Sequence, residues 1–250
     1  LKTAVDALAR AVSAQATLAD GYYFIHAQGP LYDSLNALDL DDDLDVRYAD
    51  LQASIVFGVD TPLFNAFALL GHTLDVTIVA DNSVAEALTG EMALGELPLS
   101  TTLEALLKSS RTSGENVMVE STPEYIFLRH VRNQAPSSLL LRSERLGPEQ
   151  QALLDRRVAI SLPLPIESPD AVAGVPGANA LAYVLPALSK QLGVVVRAEP
   201  GLDKLPINPV VMNDVRIRTA MDLLLRQWVL PEFAYELTGD VIVIRHVGPQ

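Results

Sequence analysis

Four histidines, His26, His72, His130 and His246, are the side chains of this 250-residue chain best suited to metal binding or proton transfer, and their spacing favours neither. None lies one helical turn from another, so no helix face presents two imidazoles to one ion, and neither H-x-x-x-H nor H-E-x-x-H occurs. His130 and His246 hold matching places in two similar stretches, which the duplication of a strand-end residue explains. A lone imidazole without a nucleophile or second ligand lacks the geometry of catalysis. Serines and aspartates are plentiful, yet there is no G-x-S-x-G elbow and neither glycine-rich phosphate loop, G-x-x-x-x-G-K-[ST] or G-x-G-x-x-G. Cysteine is absent, which removes thiolate chemistry, disulfides and Cys-based zinc sites. Asp41, Asp43 and Asp45 alternate as calcium-loop ligands do, but Val46 stands where the sharp turn needs Gly and Gln52 where the bidentate Glu belongs. A solvated acidic loop is the better reading. The residues specify no catalytic site, no metal and no cofactor, and the chain reads as non-enzymatic.

The bulk numbers narrow the partners. With 18 basic against 31 acidic residues the formal charge is −13, which opposes a nucleic-acid face or an anionic membrane surface, since both need clustered Lys and Arg. No apolar run is long enough to span a bilayer. The chain begins Leu1-Lys2-Thr3 with no initiating Met and no signal peptide, and reads as a trimmed or mature form. An apolar content of 49% supports buried cores, and the lack of Cys fits a periplasmic protein without selecting that compartment.

What must position any site is a repeated element. In Leu99 to Lys108, LSTTLEALLK, the residues Leu99, Leu103, Leu106 and Leu107 form one apolar stripe on a helix. The same pattern returns 118 positions later in Ile217 to Arg226, IRTAMDLLLR, with Ile217, Met221, Leu224 and Leu225. Acids match at Glu104 and Asp222, bases at Lys108 and Arg226, and Thr101 and Thr219 stand three residues before each acid, as in a capping box. Such paired segments indicate internal duplication.

Along the chain, Thr3 to Ala19 is Ala-rich with an apolar face at Val5, Leu8 and Val12, which predicts a helix. Gly21 to His26 reads as a strand closed by a turn at Gly29-Pro30, and Leu31 to Asp50 as a helical turn followed by an acidic loop. The first copy then runs strand 54–59, helix 63–74, strand 76–80, strand 91–94, helix 99–108 and a hairpin of 116–120 with 125–130: βαββαββ. A linker spans 133–156, with a short helix at Pro148 to Leu154. The second copy repeats the order as strand 158–162, a Pro-rich insertion from Pro163 to Gly177, helix 179–192, strand 193–198, strand 207–212, helix 217–228 and a hairpin of 233–236 with 241–245. Pro186 should start a new turn of its helix or kink it. Arg129-His130 and Arg245-His246 match at an offset of 116, which places the second hairpin two residues tighter. Trp228, Phe233 and Tyr235 form an aromatic cluster better read as core than as a binding platform.

The phrase LDVTIVADNSV, the L-x-x-x-L-x-x-L-L helix, the closing YIFLRH and the second copy from LGVVVRAEPGLDKLPINPVVMND to AYELTGDVIVIRHV resemble the secretin and TonB N-terminal domain, called N0. The resemblance implies two helices held between a two-stranded and a three-stranded sheet. It also implies a role in contacting inner-membrane partners across the periplasm, as a module of an outer-membrane secretion pore or signalling receptor. No pore domain, receptor barrel or ring-building domain follows the first copy here, and two copies in tandem depart from the usual arrangement.

The expected organisation is α+β: an N-terminal helical extension at 1–52, a first N0-like domain at 53–132, a linker at 133–156 and a second N0-like domain at 157–250. The expected function is a non-enzymatic periplasmic protein–protein interaction module of a secretion, pilus or TonB-type system, associated with the outer membrane. Its partners are other envelope proteins or a second copy of the chain. Small sheets leave unpaired edges that accept a further strand. The candidate edges are the closing hairpins, at Val117, Val119, Val241, Val243 and Arg245, and the opening strands at Ile55 and Ile160. The rivals are a sensory domain that binds a small molecule or glycan in a Tyr- and Trp-lined cleft between the copies, and an enzyme of unrecognised type with perturbed polar residues in one cleft.

Overall fold

The computed structural model describes residues 1–19, 21–27, 40, 43–110, 117–131, 141, 146–162, 179–228 and 233–247. The chain opens with a short helix, α1 (Lys2–Ala11), followed by a hairpin of β1 (Ala14–Ala19) and β2 (Tyr22–Ala27), in place of one helix to Ala19. Ser13 ends the helix in the left-handed region at φ 57°, and Gly21 turns the hairpin at φ 90°. Ala-rich sequence favours helix only weakly against such a stop, and β1 gains a full register with the aromatic strand YYFIHA. The turn expected at Gly29-Pro30 and the helical turn after Leu31 lie outside the described residues. A 3-10 turn at Val46–Tyr48 follows, with the Asp45 carboxylate accepting from the Arg47 N–H. This third member of the alternating aspartates therefore caps a turn.

The first unit consists of β3 (Gln52–Phe57), α2 (Leu63–Leu74), β4 (Ile78–Ala80), a one-turn helix α3 (Asn82–Ala85), β5 (Met92–Pro98), α4 (Leu99–Ser109), β6 (Val117–Thr122) and β7 (Tyr125–His130). β3 and β5 pair antiparallel; β4, β7 and β6 form a second sheet in that order, with β4 parallel to β7. The stripe Leu99, Leu103, Leu106 and Leu107 is fully buried and shares one core with Ile78, Ile126 and Leu128. Helix α2 touches both sheets, through β3 and β4.

After α5 (Pro148–Asp155) the second unit follows the same path. It comprises β8 (Arg157–Leu162), β9 (Asn179–Ala180), α6 (Leu181–Leu192), β10 (Val195–Ala198), β11 (Pro206–Ile207), β12 (Val210–Arg216), α7 (Ile217–Leu225), β13 (Phe233–Thr238) and β14 (Val241–His246). β8 pairs with β12, and β10, β14 and β13 form the mixed sheet, β10 running parallel to β14. Helix α6 continues through Pro186, and the Pro-rich insertion from Pro163 lies outside the described residues.

Equivalence between the units extends to single hydrogen bonds. Leu63 N–H donates to Ala87 O as Leu181 N–H does to Leu205 O, and Asp81 N–H to Leu128 O as Glu199 N–H to Ile244 O. The bridge Pro62–Leu88 matches Ala180–Pro206, and α2 and α6 both end in a left-handed residue, Asp75 and Gly193. Two expectations need correction. Both closing hairpins turn over two residues, Pro123-Glu124 and Gly239-Asp240, so the two-residue difference falls between the long helix and the hairpin. Nor do Thr101 and Thr219 cap their helices: these start at Leu99 and Ile217, after Pro98 and Arg216, with no side-chain cap. Among the described residues the chain is mixed α+β, and no helix is long and apolar enough to cross a membrane.

Candidate interaction site

Sheet order decides which edges are available. β14 is the middle strand of its sheet, flanked by β10 and β13, so Val241, Val243 and Arg245 have their backbone ladder occupied on both sides and do not form an edge. Arg245 instead lies 3.0 Å from Glu236 on the neighbouring strand. Val117 and Val119 do stand on an outer strand, β6, of which β7 is the inner neighbour. The far end of β6 is covered: Ser121 Oγ accepts from Asp45 N–H at 2.8 Å, and Tyr48 Oη donates to Thr122 O at 2.9 Å. Val117 to Glu120 have no strand partner on that side among the described residues, and Met118 is 45% exposed there. β3 and β8, which carry Ile55 and Ile160, each have one strand partner, and both isoleucines are buried.

The denser site is the junction between the units, where residues that differ between the copies, such as Gly71, Asn82 and Asn213, meet ones that match, such as Thr219 and Arg226. β12 shifts register between Met212 and Val215, with Asp214 at φ 48°; such a bulge leaves one residue outside the ladder and re-aims its side chain. Asn213 uses that freedom to reach the end of α2. Its amide donates to Gly71 O at 2.9 Å and Val76 O at 3.2 Å, and its backbone N–H to Thr77 Oγ1 at 2.8 Å. Gly71 permits the approach, since a Cβ there would sit 3.1 Å from Val76 O and 3.3 Å from Val211 Cβ. Beside it, Asn82 N–H donates to Gln227 O at 2.7 Å and Asn208 Nδ2 to Asn82 Oδ1 at 2.9 Å.

On the other side of the junction, the β6–β7 hairpin presses two carboxylates onto α7. Glu124, at the turn, accepts from Thr219 Oγ1 at 2.7 Å and lies 2.8 Å from Arg216 and 3.1 Å from Arg157. Glu120 takes both terminal nitrogens of Arg226, Nη1 at 3.0 Å and Nη2 at 2.5 Å. The Arg226 guanidinium is buried, 4.0 Å over the Phe127 ring, a geometry that combines a bidentate ion pair with cation–π attraction. Val79 and Phe127 of the first unit join the core of the second. A cleft of about 470 Å³ remains between hairpin and helix, lined by Tyr125, Arg157, Arg218, Asp222 and Arg226 among others. Trp228 is not part of it.

Burial and charge set the protonation here. Desolvation raises the Asp222 carboxyl to about 7 despite the opposing pull of Tyr235, Arg226 and Arg218. Burial pushes Glu120 upward too, but its bonds from Arg226 and Tyr125 win and hold it below the usual carboxylate range. Tyr125 and Tyr235 are driven upward by burial and by their acidic neighbours. In the first unit the matching pair behaves differently. Lys108 Nζ sits 3.2 Å from Glu104 of its own helix, and Glu104 also accepts the Leu40 N–H at 2.9 Å.

The remaining chemical side chains have structural tasks. His130 and His246 share a position because each backbone N–H is held by a carboxylate at the start of the preceding loop: Asp81 Oδ2 at 2.7 Å and Glu199 Oε2 at 3.2 Å. His26 is buried against Thr17 Oγ1 at 3.1 Å. Trp228 is 6% exposed, donates to Pro206 O and meets Phe233 edge-on, a core assignment. Among the described residues no group of three or more His, Asp or Glu is arranged to hold a metal ion. The junction was missed from sequence because repetition was the signal sought, whereas Gly71, Asn213, Arg216 and Arg157 announce themselves only by differing between copies. No family model, curated protein or solved structure matches this chain.

Proposed function

We propose that this chain is a non-enzymatic protein–protein interaction module of the bacterial cell envelope, built from two tandem N0-like domains. It would act in the periplasm as part of a secretion, pilus or TonB-type uptake or signalling system. The observation that supports this most is the chain path of each unit. Two helices pack between an antiparallel strand pair and a three-stranded mixed sheet, in the order that the secretin and TonB N-terminal resemblance implies. The polar groups at the junction favour a docking role over chemistry, because the arginines around the cleft are committed to carboxylates: Arg226 to Glu120, Arg157 and Arg216 to Glu124, Arg218 to Asp155. The same commitment weighs against a glycan or metabolite in that cleft.

Partner capture proceeds by strand addition to the outer edge of β6 at Val117 to Glu120. Added backbone hydrogen bonds supply affinity, and the flanking side chains supply selectivity. The test is capture of a secretion or TonB-system component from envelope extract by the full chain and by a Met118→Lys variant, since a lysine on an edge strand discourages pairing. Capture by the wild type that is lost in the variant, with circular dichroism unchanged, supports the reading. Equal capture by both, or no capture combined with thermal stabilisation by a glycan panel, overturns it.

A further inference from the structure

We propose that the junction between the two units is a pH-gated latch, in which ionisation of Asp222 draws Arg226 back onto its own helix and releases Glu120 of the first unit. The duplication itself displays the alternative arrangement. Glu104 and Lys108 occupy the positions of Asp222 and Arg226, and there the base pairs with the acid four residues earlier at 3.2 Å. In the second unit the base extends both terminal nitrogens to Glu120 across the junction, while its charge still acts on Asp222. A neutral Asp222 does not compete for that guanidinium. An ionised one does, at the spacing where helical ion pairs form.

The groups around Asp222 set the direction. Its own helix supplies Arg218 and Arg226, β13 supplies the Tyr235 phenol, and the hairpin supplies Glu120, Glu124 and Tyr125. Arg218 is held by Asp155 of α5 at 2.8 Å, while Arg157 of β8 and Arg216 of β12 are held by Glu124. Burial outweighs the pull of Arg218 and Arg226 on Asp222, and the hairpin closes over the same cleft through Glu124 and Tyr125, so the docked junction keeps Asp222 protonated at pH values where separated units would leave it ionised. Docking and proton uptake are therefore linked, and docking weakens as pH rises. On the acid side Glu120 stays ionised below the ordinary carboxylate range because Arg226 holds it, so the latch is closed in mildly acidic solution.

Amide hydrogen exchange of the full chain, read by NMR at pH 5.5 and pH 8 and corrected for intrinsic rates, tests this. Two backbone N–H groups report the junction, Asn82 bonded to Gln227 and Asn213 bonded to Thr77. Asp81 and Glu199, bonded inside single units, serve as references. Protection of Asn82 and Asn213 should fall by about tenfold or more relative to the references between the two pH values. Asp222→Asn should abolish that dependence and keep the acid-side protection. Glu120→Gln should lower junction protection already at pH 5.5 while the reference amides hold. A ratio that stays constant with pH in the wild type overturns the latch, as does a pH dependence that survives in Asp222→Asn or junction protection that is untouched by Glu120→Gln.

Discussion

Replacing Asp222 by Asn should stabilise the protein, and by an amount that depends on pH in a calculable way. Burial disfavours the charge of this carboxyl and pushes it up to about 7 in the folded chain, against 3.8 for an ordinary Asp. Each unit of difference corresponds to about 1.4 kcal/mol, so the gap amounts to roughly 4 kcal/mol. The sign follows from which state holds the proton. Between these two values the folded chain is protonated and the unfolded chain is not, so stability is full near pH 4, declines as pH rises, and levels off above 7. Asn has nearly the same shape and carries no charge at any pH. The variant should match the wild type at pH 4 and exceed it at pH 8 by up to about 4 kcal/mol, a ceiling that partial relaxation around Arg218 and Arg226 lowers. For a chain of this length 1 kcal/mol moves the melting temperature by about 2–4 °C. Thermal denaturation of both proteins at pH 4, 6 and 8 measures the difference. A gain that is the same at all three pH values, or a loss at pH 8, refutes the argument that buried charge is the cause.

Other expectations concern the same junction. Asn213→Ala removes two amide bonds to Gly71 and Val76 and should cost about 2 kcal/mol in urea denaturation, with faster exchange at Asn82. Gly71→Ala places a methyl 3.1 Å from Val76 O and 3.3 Å from Val211 Cβ. It should therefore forfeit the gain of about 0.5–1 kcal/mol usual for Gly→Ala in a helix and lower the melting temperature. Leu106→Ala, in a fully buried position of α4, should cost about 2–5 kcal/mol and leave the exchange of Glu199 in the other unit less affected than that of Asp81.

Much of the architecture was legible in sequence because it is written in apolar spacing. The stripes of α4 and α7, the end of α2 at Leu74 and the strands of both closing hairpins follow from periods that backbone geometry imposes. What escaped depends on partners distant in sequence. Ala14 to Ala19 carries no strand signal of its own and becomes β1 only because YYFIHA folds back on it. α3 is a single turn that exists because Asp81 caps it, with Oδ1 accepting the Val84 N–H at 3.0 Å. The central placement of β14 is set by parallel pairing with β10 across an intervening helix, which no local pattern encodes. Its run Val241 to Ile244 was nevertheless a hint, since strands covered on both sides read as continuous apolar segments. The junction escaped most completely: Glu120, Glu124 and Arg226 look like ordinary surface charges until the two units are brought together.

The bond from Asn82 N–H to Gln227 O also gives the pair of units a direction. In the second unit the place of Asn82 is taken by Pro200, which has no N–H to give, and the place of Gly71 by Ser189, whose hydroxyl is bonded within its own unit to Leu185 O and the Val196 N–H. The second unit therefore has no equivalent of the Asn82 bond to offer at that position. Two similar units thus meet through unlike surfaces, which gives the pair a polarity.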